Sequence, residues 1–212
     1  MNKTEQAVAT LEAMIENGEL APGSMVSERT IVETLGLGRT PIREAIQRLA
    51  PRYMIRVHAS RGIEIPAITV EDQLSRLEVR RPVEVLAVEL ACKRASEAQK
   101  AAMRDLASRL EGRFTLQEYI HTLRQTHSLI LDAAGNRYLG SMMLPLQGLS
   151  RRFWIVHARE EKGDIDCGRD LHRAILMAIL GGNAEAAAEA SRALNNYLVE
   201  FALTVVARQA AR

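Results

Sequence analysis

The chain has 212 residues, of which 47% are hydrophobic and 25% are charged, the balance of an ordinary globular protein. Aromatic residues make up only 4%, while alanine and leucine are abundant, which favours helices over sheets. Two cysteines, Cys92 and Cys167, are too few for a disulfide framework. The acidic N-terminal segment argues against a secretion signal, and the lack of a run of about 18 apolar residues argues against a membrane span. We therefore expect a cytoplasmic protein without a membrane partner.

The net charge of +2 does not by itself indicate a nucleic-acid partner, but the charges are unevenly distributed. Residues 1–36 contain two basic and six acidic side chains, whereas residues 37–62 contain six arginines and one glutamate, Glu44. A local basic surface can bind phosphate groups whatever the charge of the whole chain. Scattered arginines on a solvated face are the alternative interpretation.

Two helices are predicted before the basic segment. The first covers about residues 4–17, where apolar side chains recur at helical spacing and an Asn-Gly pair supplies a stop. A Pro-Gly turn and a short extended piece follow at residues 19–26. Ser27 is then predicted as the N-cap of the second helix, with Glu28 in the first turn, where a negative charge is stabilised by the helix dipole.

The segment RTPIREAIQRL predicts the third helix. Thr40 is expected to cap this helix and Pro41 to occupy its first position, where the missing N–H costs nothing. Arg39, Arg43 and Gln47 lie on the face opposite to the apolar side chains, which recur at helical spacing. The expected buried stripe consists of Ile42, Ala45, Ile46 and Leu49.

Two short strands are predicted next, at residues 54–57 and 63–65, joined by a turn in which Gly62 gives the backbone its freedom. A two-stranded ribbon directly after a helix–turn–helix is a wing. The segment around Pro66 is expected to be a linker, and a long, alanine-rich helical pattern follows it. The predicted helices cover about residues 70–95, 96–110, 115–134, 136–161 with a break at Pro145, 168–181 and 183–208.

The expected fold is therefore mainly α and consists of two domains. An N-terminal winged helix–turn–helix occupies residues 1–66, and a C-terminal all-α helical bundle occupies residues 67–212.

Seven residues are candidates for contact with double-stranded DNA. In a helix–turn–helix, the second helix of the motif lies in the major groove and its N-terminal residues meet base edges. Arg39, Thr40 and Arg43 stand at this end of the third helix, and an arginine fork can bond guanine O6 and N7 together. The other candidates can reach phosphates or, at the wing tip, a narrow minor groove. They are Arg29, Arg48, Arg61 and Gly62.

Four short motifs occur at characteristic spacing in the N-terminal region. They are Pro22-Gly23, Ser27-Glu28, RTPIREA at residues 39–45, and Arg61-Gly62. With these motifs, residues 10–65 resemble the winged-helix domain of GntR-type bacterial transcriptional regulators. The resemblance implies DNA contacts from Arg29, Arg39, Thr40, Arg43 and Gly62. Two positions depart from the family pattern, because Gly38 replaces a usual serine or threonine and Tyr53 stands where glycine is common.

Three later segments carry a second, looser resemblance. They are residues 77–91, 127–136 and 171–187, and they resemble the all-helical, FCD-type effector domain of the FadR-like branch of that family. Many such domains hold a divalent metal with one aspartate and three histidines. His127 and His172 match two of these ligands, whereas Leu123 and Leu194 stand at the other two positions. We expect no metal cofactor, because two imidazoles alone make a poor site.

The two histidines have other interpretations besides metal ligation. They can be polar residues hydrogen-bonded inside the bundle, or they can donate to an organic anion bound directly. The resemblance implies help from Arg80, at a position where the family often places an arginine that faces the cavity. Asn195, next to Leu194, is a further candidate for effector contact. The expected effector is a small organic acid.

The leading hypothesis is a ligand-responsive DNA-binding transcriptional regulator, a repressor that binds an inverted-repeat operator as a homodimer. The bundle, residues 67–212, would bind the effector and form the dimer, and effector binding would change how the two winged helices fit the half-sites. The alternative is a metal-dependent helical-bundle enzyme or a metal sensor that uses His127 and His172. An enzyme is not expected, because neither histidine belongs to a Glu-x-x-His pair and no nucleophile–base pair is visible.

Overall fold

Nine α-helices and three short strands are present in the residues that this computed structural model describes, 2–158 and 161–210. The helices are α1 (Lys3–Glu16), α2 (Glu28–Leu35), α3 (Arg39–Leu49), α4 (Val70–Arg94), α5 (Glu97–Arg109), α6 (Leu116–Ala134), α7 (Arg137–His157), α8 (Glu161–Leu180) and α9 (Ala184–Ala210). The strands are β1 (Met25–Val26), β2 (Arg56–His58) and β3 (Gly62–Glu64). The predicted fold class, a winged helix–turn–helix followed by a helical bundle, is confirmed.

The chain forms two compact units. The first comprises the residues up to 69 together with residues 148–156 of α7, and the second comprises residues 70–147 and those from 157 onward. The sequence pattern places the boundary after residue 66. It contains no signal that assigns a segment of α7 to the N-terminal unit.

The core of the first unit forms where α3 packs against α1 and α2 and where the sheet adds its apolar side chains. The predicted stripe of α3 is buried, and one member of the core, Leu149, comes from α7. The buried members are Ala7, Leu11, Ile15, Ile31, Ile42, Ala45, Ile46, Leu49, Met54, Ile55, Ile63, Ile65 and Leu149.

The sheet has three strands where the sequence predicted a ribbon of two. β3 pairs antiparallel with both β1 and β2, so the strand order is β1–β3–β2. The register places Val26 and Val57 on either side of Ile63. The pairing of β1 was not predicted, because a strand of two residues is too short to show alternation.

The helix caps of the first unit agree with the prediction at α2 and differ at α3. Ser27 caps α2 by accepting a hydrogen bond from the Thr30 N–H at 3.0 Å, as expected. The prediction that Thr40 caps α3 is wrong, because this helix begins at Arg39 with Gly38 as its N-cap. Pro41 therefore lies in the first turn rather than at the first position. Its missing N–H is still harmless there, since the first turn has no intrahelical acceptor for that donor.

Tyr53 keeps the turn geometry of the glycine that is usual at this position. Its φ is 60°, and it is the only non-glycine residue with a positive φ in the described part of the chain. The left-handed conformation costs a side-chain-bearing residue about 1–2 kcal/mol. The residue is 73% exposed, so packing does not offset this cost.

In the second unit, α4 packs against α9 and α6, and α8 packs against α9. The predicted break at Pro145 is wrong, because α7 continues through this buried proline from Arg137 to His157. A proline removes one helical hydrogen bond, but packing can retain the helix around it. Helix α8 begins at Glu161, earlier than the predicted residue 168, and residues 159–160 of the predicted fourth bundle helix lie outside the described residues. No helix in the described ranges is long and apolar enough to cross a membrane.

Candidate nucleic-acid interface and bundle cavity

The exposed face of α3 carries the residues predicted to meet base edges. Arg39, Thr40 and Arg43 are all exposed and lie in the first two turns of the helix. The N-cap, Gly38, has no side chain that could accept from the first-turn N–H groups. The helix therefore presents uncapped N–H donors beside arginine side chains, an arrangement suited to phosphate groups.

Two of the predicted DNA-contacting arginines are paired with glutamates of α2. The Arg43 Nε donates to both carboxylate oxygens of Glu28, at 2.8 and 3.0 Å, and the Arg29 Nε donates to Glu33 Oε1 at 2.7 Å. Arg43 nevertheless keeps 66% of its side chain exposed. Sequence reasoning missed both pairs. The spacing of Arg29 and Glu33, four residues apart on one helix, could have indicated the second pair, but no local pattern indicates the first.

Three other predicted contacts make no side-chain hydrogen bond or ion pair with any residue that the structure describes. They are Arg39, Arg48 and Arg61, and each is exposed. A guanidinium group in this state keeps all five donors available for phosphate oxygens. The candidate DNA-binding surface therefore contains three arginines that are unpaired within the described residues, together with Arg29 and Arg43, which are paired with glutamates.

The wing tip explains why residue 62 is a glycine. Gly62 has a φ of +96°, and a Cβ at this position would lie 2.9 Å from the Val26 carbonyl oxygen of β1. Beside it, the Glu64 carboxylate contacts His58 at 2.6 Å and Arg56 at 3.1 Å. The hydrogen bond with His58, followed by the Arg56 charge, lowers the pKa of Glu64. The close approach of Gly62 to the backbone of β1 thus requires a glycine at position 62, whether or not DNA is bound.

The second unit contains a cavity of about 20 Å³, close to the volume of one water molecule. Polar and apolar side chains of α4, α6, α7, α8 and α9 line this cavity. The polar lining residues are Glu84, His127, Gln147, His172 and Ser191, and the apolar ones are Ala87, Val88, Ile130, Leu131, Ile175 and Leu194.

The structure brings together the two histidines predicted from the sequence. His127 and His172 are buried, and their Nε2 atoms are 3.2 Å apart. The His172 Nδ1 is 2.6 Å from the Gly168 carbonyl oxygen, which can only accept, so Nδ1 carries the proton. When both rings are neutral, the His172 Nε2 is therefore an acceptor, and the His127 Nε2–H donates to it.

The other two predicted effector residues lie outside the cavity lining. The Arg80 Nε and Nη2 donate to Glu84 Oε1 at 3.1 and 2.8 Å, so the guanidinium holds the Glu84 carboxylate in place. The Asn195 Nδ2 donates to the Leu77 carbonyl oxygen at 3.2 Å. Sequence reasoning missed Glu84 as a cavity residue, although its position four residues after Arg80 was a usable signal.

Two buried oxygen atoms in the cavity lining have no hydrogen-bond partner among the described residues. They are Glu84 Oε2 and Gln147 Oε1. The Gln147 Nε2 donates to the other Glu84 oxygen at 2.9 Å, which joins the two side chains. An unpaired buried acceptor costs about 1–3 kcal/mol, so a donor-bearing occupant of the cavity would be stabilised here.

The donor set does not fit the metal site that the family resemblance implies. Leu123 and Leu194 are buried at the positions of two of the implied ligands. Within the described ranges, no group of three His, Cys, Asp or Glu residues is placed to share an ion. His127 and His172 instead bond to one another. An aliphatic neighbour cannot complete the coordination shell of such a pair.

A winged helix with exposed arginines on the second helix of its motif, together with an all-helical unit, defines the class of winged-helix transcriptional regulators. Residues 3–65 match the family described as bacterial regulatory proteins, gntR family, and residues 75–196 match the FCD domain. The chain therefore belongs to the GntR family of transcriptional regulators and carries an FCD domain. The predicted family is confirmed, as is the prediction that the chain belongs to a regulator class and not to an enzyme class.

Among curated relatives, the chain is 28% identical over 137 residues to YdhC of Bacillus subtilis (strain 168), an uncharacterized HTH-type transcriptional regulator. That alignment covers 63% of this chain and 61% of YdhC, less than two thirds of the relative. The HTH-type transcriptional repressor GlaR of Escherichia coli (strain K12) is 24% identical over 188 residues, which cover 84% of this chain and 86% of GlaR.

Two solved structures share the fold across almost the whole chain. E. coli McbR/YncC has a TM-score of 0.81 at 18% sequence identity and covers 97% of this chain and 99% of its own. A putative GntR transcriptional regulator from Rhodococcus sp. RHA1 has a TM-score of 0.72 at 22% identity, with 98% and 99% covered. These similarities establish a common fold.

Proposed function

We propose that this chain is a cytoplasmic repressor that binds an inverted-repeat operator as a homodimer. Binding of a small molecule to the bundle changes its affinity for the operator. The observation that carries the DNA-binding part is the exposed face of α3, where Arg39, Thr40 and Arg43 stand at an uncapped helix N-terminus. Two such helices related by a two-fold axis match an operator whose half-sites are about 34–36 Å apart. The repressor role is supported by the name of the relative GlaR.

Selection from a library of random DNA duplexes tests this proposal, because the method needs no assumed operator sequence. The purified protein is expected to enrich an inverted repeat with half-sites about one helical turn apart. Gel shifts should then show tighter binding to the enriched duplex than to a scrambled one, with affinity falling steeply as salt rises. Size-exclusion chromatography with light scattering should give the mass of a dimer. Enrichment of no motif, or of a single half-site by a monomer, would contradict the proposal.

The proposed effector site is the cavity that contains His127 and His172. Both histidines and the Glu84–Gln147 pair meet there, all four side chains are buried, and two oxygen atoms of that pair have no partner in the part of the chain that the structure describes. At about 20 Å³ the cavity must widen before it can admit a molecule larger than water. Binding energy spent on this widening is the means by which an effector would alter the shape of the bundle.

For the predicted organic acid, binding should be linked to proton uptake. The two neutral imidazoles share one Nε2–H donor, which is already used between them, so a carboxylate needs a second proton on the pair. Because this extra proton is bound more readily at low pH, acids should raise the melting temperature more at pH 6 than at pH 8. Thermal-shift measurements with small acids and the alcohols of the same carbon skeleton would detect this difference.

His127→Leu is expected to remove the response to acids, whereas His121→Leu should retain it. His121 provides a matched control, because it is an exposed histidine on the same helix. Equal stabilisation at both pH values, or an unchanged response in His127→Leu, would overturn the placement of the effector. Stoichiometric metal in the purified protein would favour the alternative of a metal sensor.

A further inference from the structure

The pairing of Arg43 with Glu28 fixes one edge of the guanidinium group. The contact is made through Nε alone, which donates to both carboxylate oxygens at 2.8 and 3.0 Å. Arg43 belongs to α3 and Glu28 to the first turn of α2, so the contact joins the two helices of the helix–turn–helix. The two terminal Nη groups of Arg43 make no hydrogen bond or ion pair within the described part of the chain.

Glu28, the partner of Arg43, is itself held in place at the start of α2. Glu28 is the first residue of this helix, directly after the Ser27 cap, where the partial positive charge of the helix stabilises a carboxylate. Its side chain is 33% exposed, half the value for Arg43. The more constrained partner therefore orients the more exposed one.

This geometry leaves one way for Arg43 to meet a base. An arginine recognises guanine with two parallel N–H donors aimed at O6 and N7. With Nε occupied, the terminal Nη1 and Nη2 donors form the fork that remains. A free arginine would have two such forks, Nη1/Nη2 and Nε/Nη2, and many rotamers, and ordering it on DNA would cost side-chain entropy.

We propose that Glu28 is a positioning residue for base discrimination: it holds Arg43 so that its Nη1/Nη2 edge faces the major groove. This inference rests on the proposed function, in which the exposed face of α3 binds operator DNA. A competing role, in which Glu28 only blocks Arg43 until DNA displaces it, has the opposite consequence for selectivity. Removing Glu28 would then strengthen operator binding at least as much as binding to unrelated DNA.

The expected signature is a higher affinity for unrelated DNA together with a lower preference for the operator. Glu28→Ala removes a negative charge near the DNA backbone, so affinity for a scrambled duplex should rise. The same variant loses the fixed fork, so preference for the selected operator over the scrambled duplex should fall about tenfold. Glu28→Gln keeps an acceptor oxygen for the Arg43 Nε–H and should retain most of the preference.

Glu33→Ala is the matched control. It removes the same charge from the same helix, and it frees Arg29, a predicted phosphate contact, without touching Arg43. Affinity for both duplexes should therefore rise by the same factor, and the preference should stay unchanged. Circular dichroism and melting temperature will establish that each variant is folded.

Fluorescence-anisotropy titrations of these variants and of Arg43→Ala, on both duplexes and at two salt concentrations, test the inference. It is overturned if Glu28→Ala keeps or increases the preference for the operator, or if Glu28→Gln is as defective as Glu28→Ala. Arg43→Ala separates the failure of the positioning role from the failure of the proposed function. If Arg43→Ala keeps the preference, the proposed role of α3 fails. If Arg43→Ala loses it and Glu28→Ala does not, only the positioning role of Glu28 fails.

Discussion

Replacing Arg151 by methionine is expected to destabilise the N-terminal unit by about 3–5 kcal/mol, the cost of removing one partner from a buried ion pair. Arg151 donates hydrogen bonds of 3.1 to 3.3 Å to the carboxylate of Glu16. Glu16 is 4% exposed and Arg151 is 9% exposed. In the variant, Glu16 would stay buried without this guanidinium, which is why the expected loss is large.

The packing around the pair allows no easy relaxation. A Cβ at Gly148 would lie 2.6 Å from Glu16 Oε1, so the helix backbone of α7 approaches the carboxylate directly. One turn later, Arg152 donates to the Pro66 carbonyl oxygen at 3.1 Å. Residues 148–156 are therefore attached to the N-terminal unit by charged side chains as well as by Leu149 of its core.

Urea unfolding followed by fluorescence measures this loss, because Trp154, the single tryptophan of the chain, belongs to the same unit. A double variant, Glu16→Leu with Arg151→Met, should recover most of the stability, since apolar replacements of a buried pair are often neutral. Glu33→Ala, which breaks an exposed pair, should change stability by at most about 1 kcal/mol. A loss below about 1 kcal/mol in Arg151→Met, or a double variant as unstable as the single one, would contradict the prediction.

Arg43→Ala is expected to remove the preference for the operator, whereas Arg48→Ala should weaken binding to all duplexes alike. One bidentate arginine–guanine contact is worth about 1–3 kcal/mol of discrimination, and a dimer has two. The preference should therefore fall by about a hundredfold in Arg43→Ala. Arg48 is exposed on α3 without a partner among the described residues, so its expected contact is a phosphate.

The dependence of affinity on salt concentration distinguishes these two arginines. Loss of a phosphate contact should reduce the slope of log affinity against log salt by about 1 per protomer in Arg48→Ala. The slope should change little in Arg43→Ala if its main contact is a base. Equal losses on operator and scrambled duplexes in both variants would mean that α3 contacts only the phosphate backbone.

Local patterns predicted the helices and the wing well, because their signals lie within a few residues. The buried stripe of α3 follows from a period of 3.6 residues, and the Ser27 cap follows from a hydroxyl three residues before its donor. The errors were also local. Thr40 and Gly38 both suit an N-cap, and Pro145 reads as a helix break when the packing that retains α7 around it is unknown.

In the bundle cavity, too, some features could be predicted from the sequence and others depend on how the helices pack. Leucine at positions 123 and 194 is visible in the sequence and is enough to show that the ligand set of the family is incomplete. The hydrogen bond between His127 and His172 joins residues 45 positions apart, and the Gln147–Glu84 contact joins residues 63 apart. No periodicity encodes these distances, because they depend on how three or more helices pack together.

The sequence by itself determined that this chain has a winged helix of the GntR type, a helical bundle after it and an arginine-rich helix N-terminus within the winged helix. Only the tertiary structure decided which charges meet. Glu28 holds Arg43 across 15 residues, and Glu16 holds Arg151 across 135 residues. The physical reason is that an arginine can reach several acidic groups, and the one that it contacts is selected by the packing of the backbone around both.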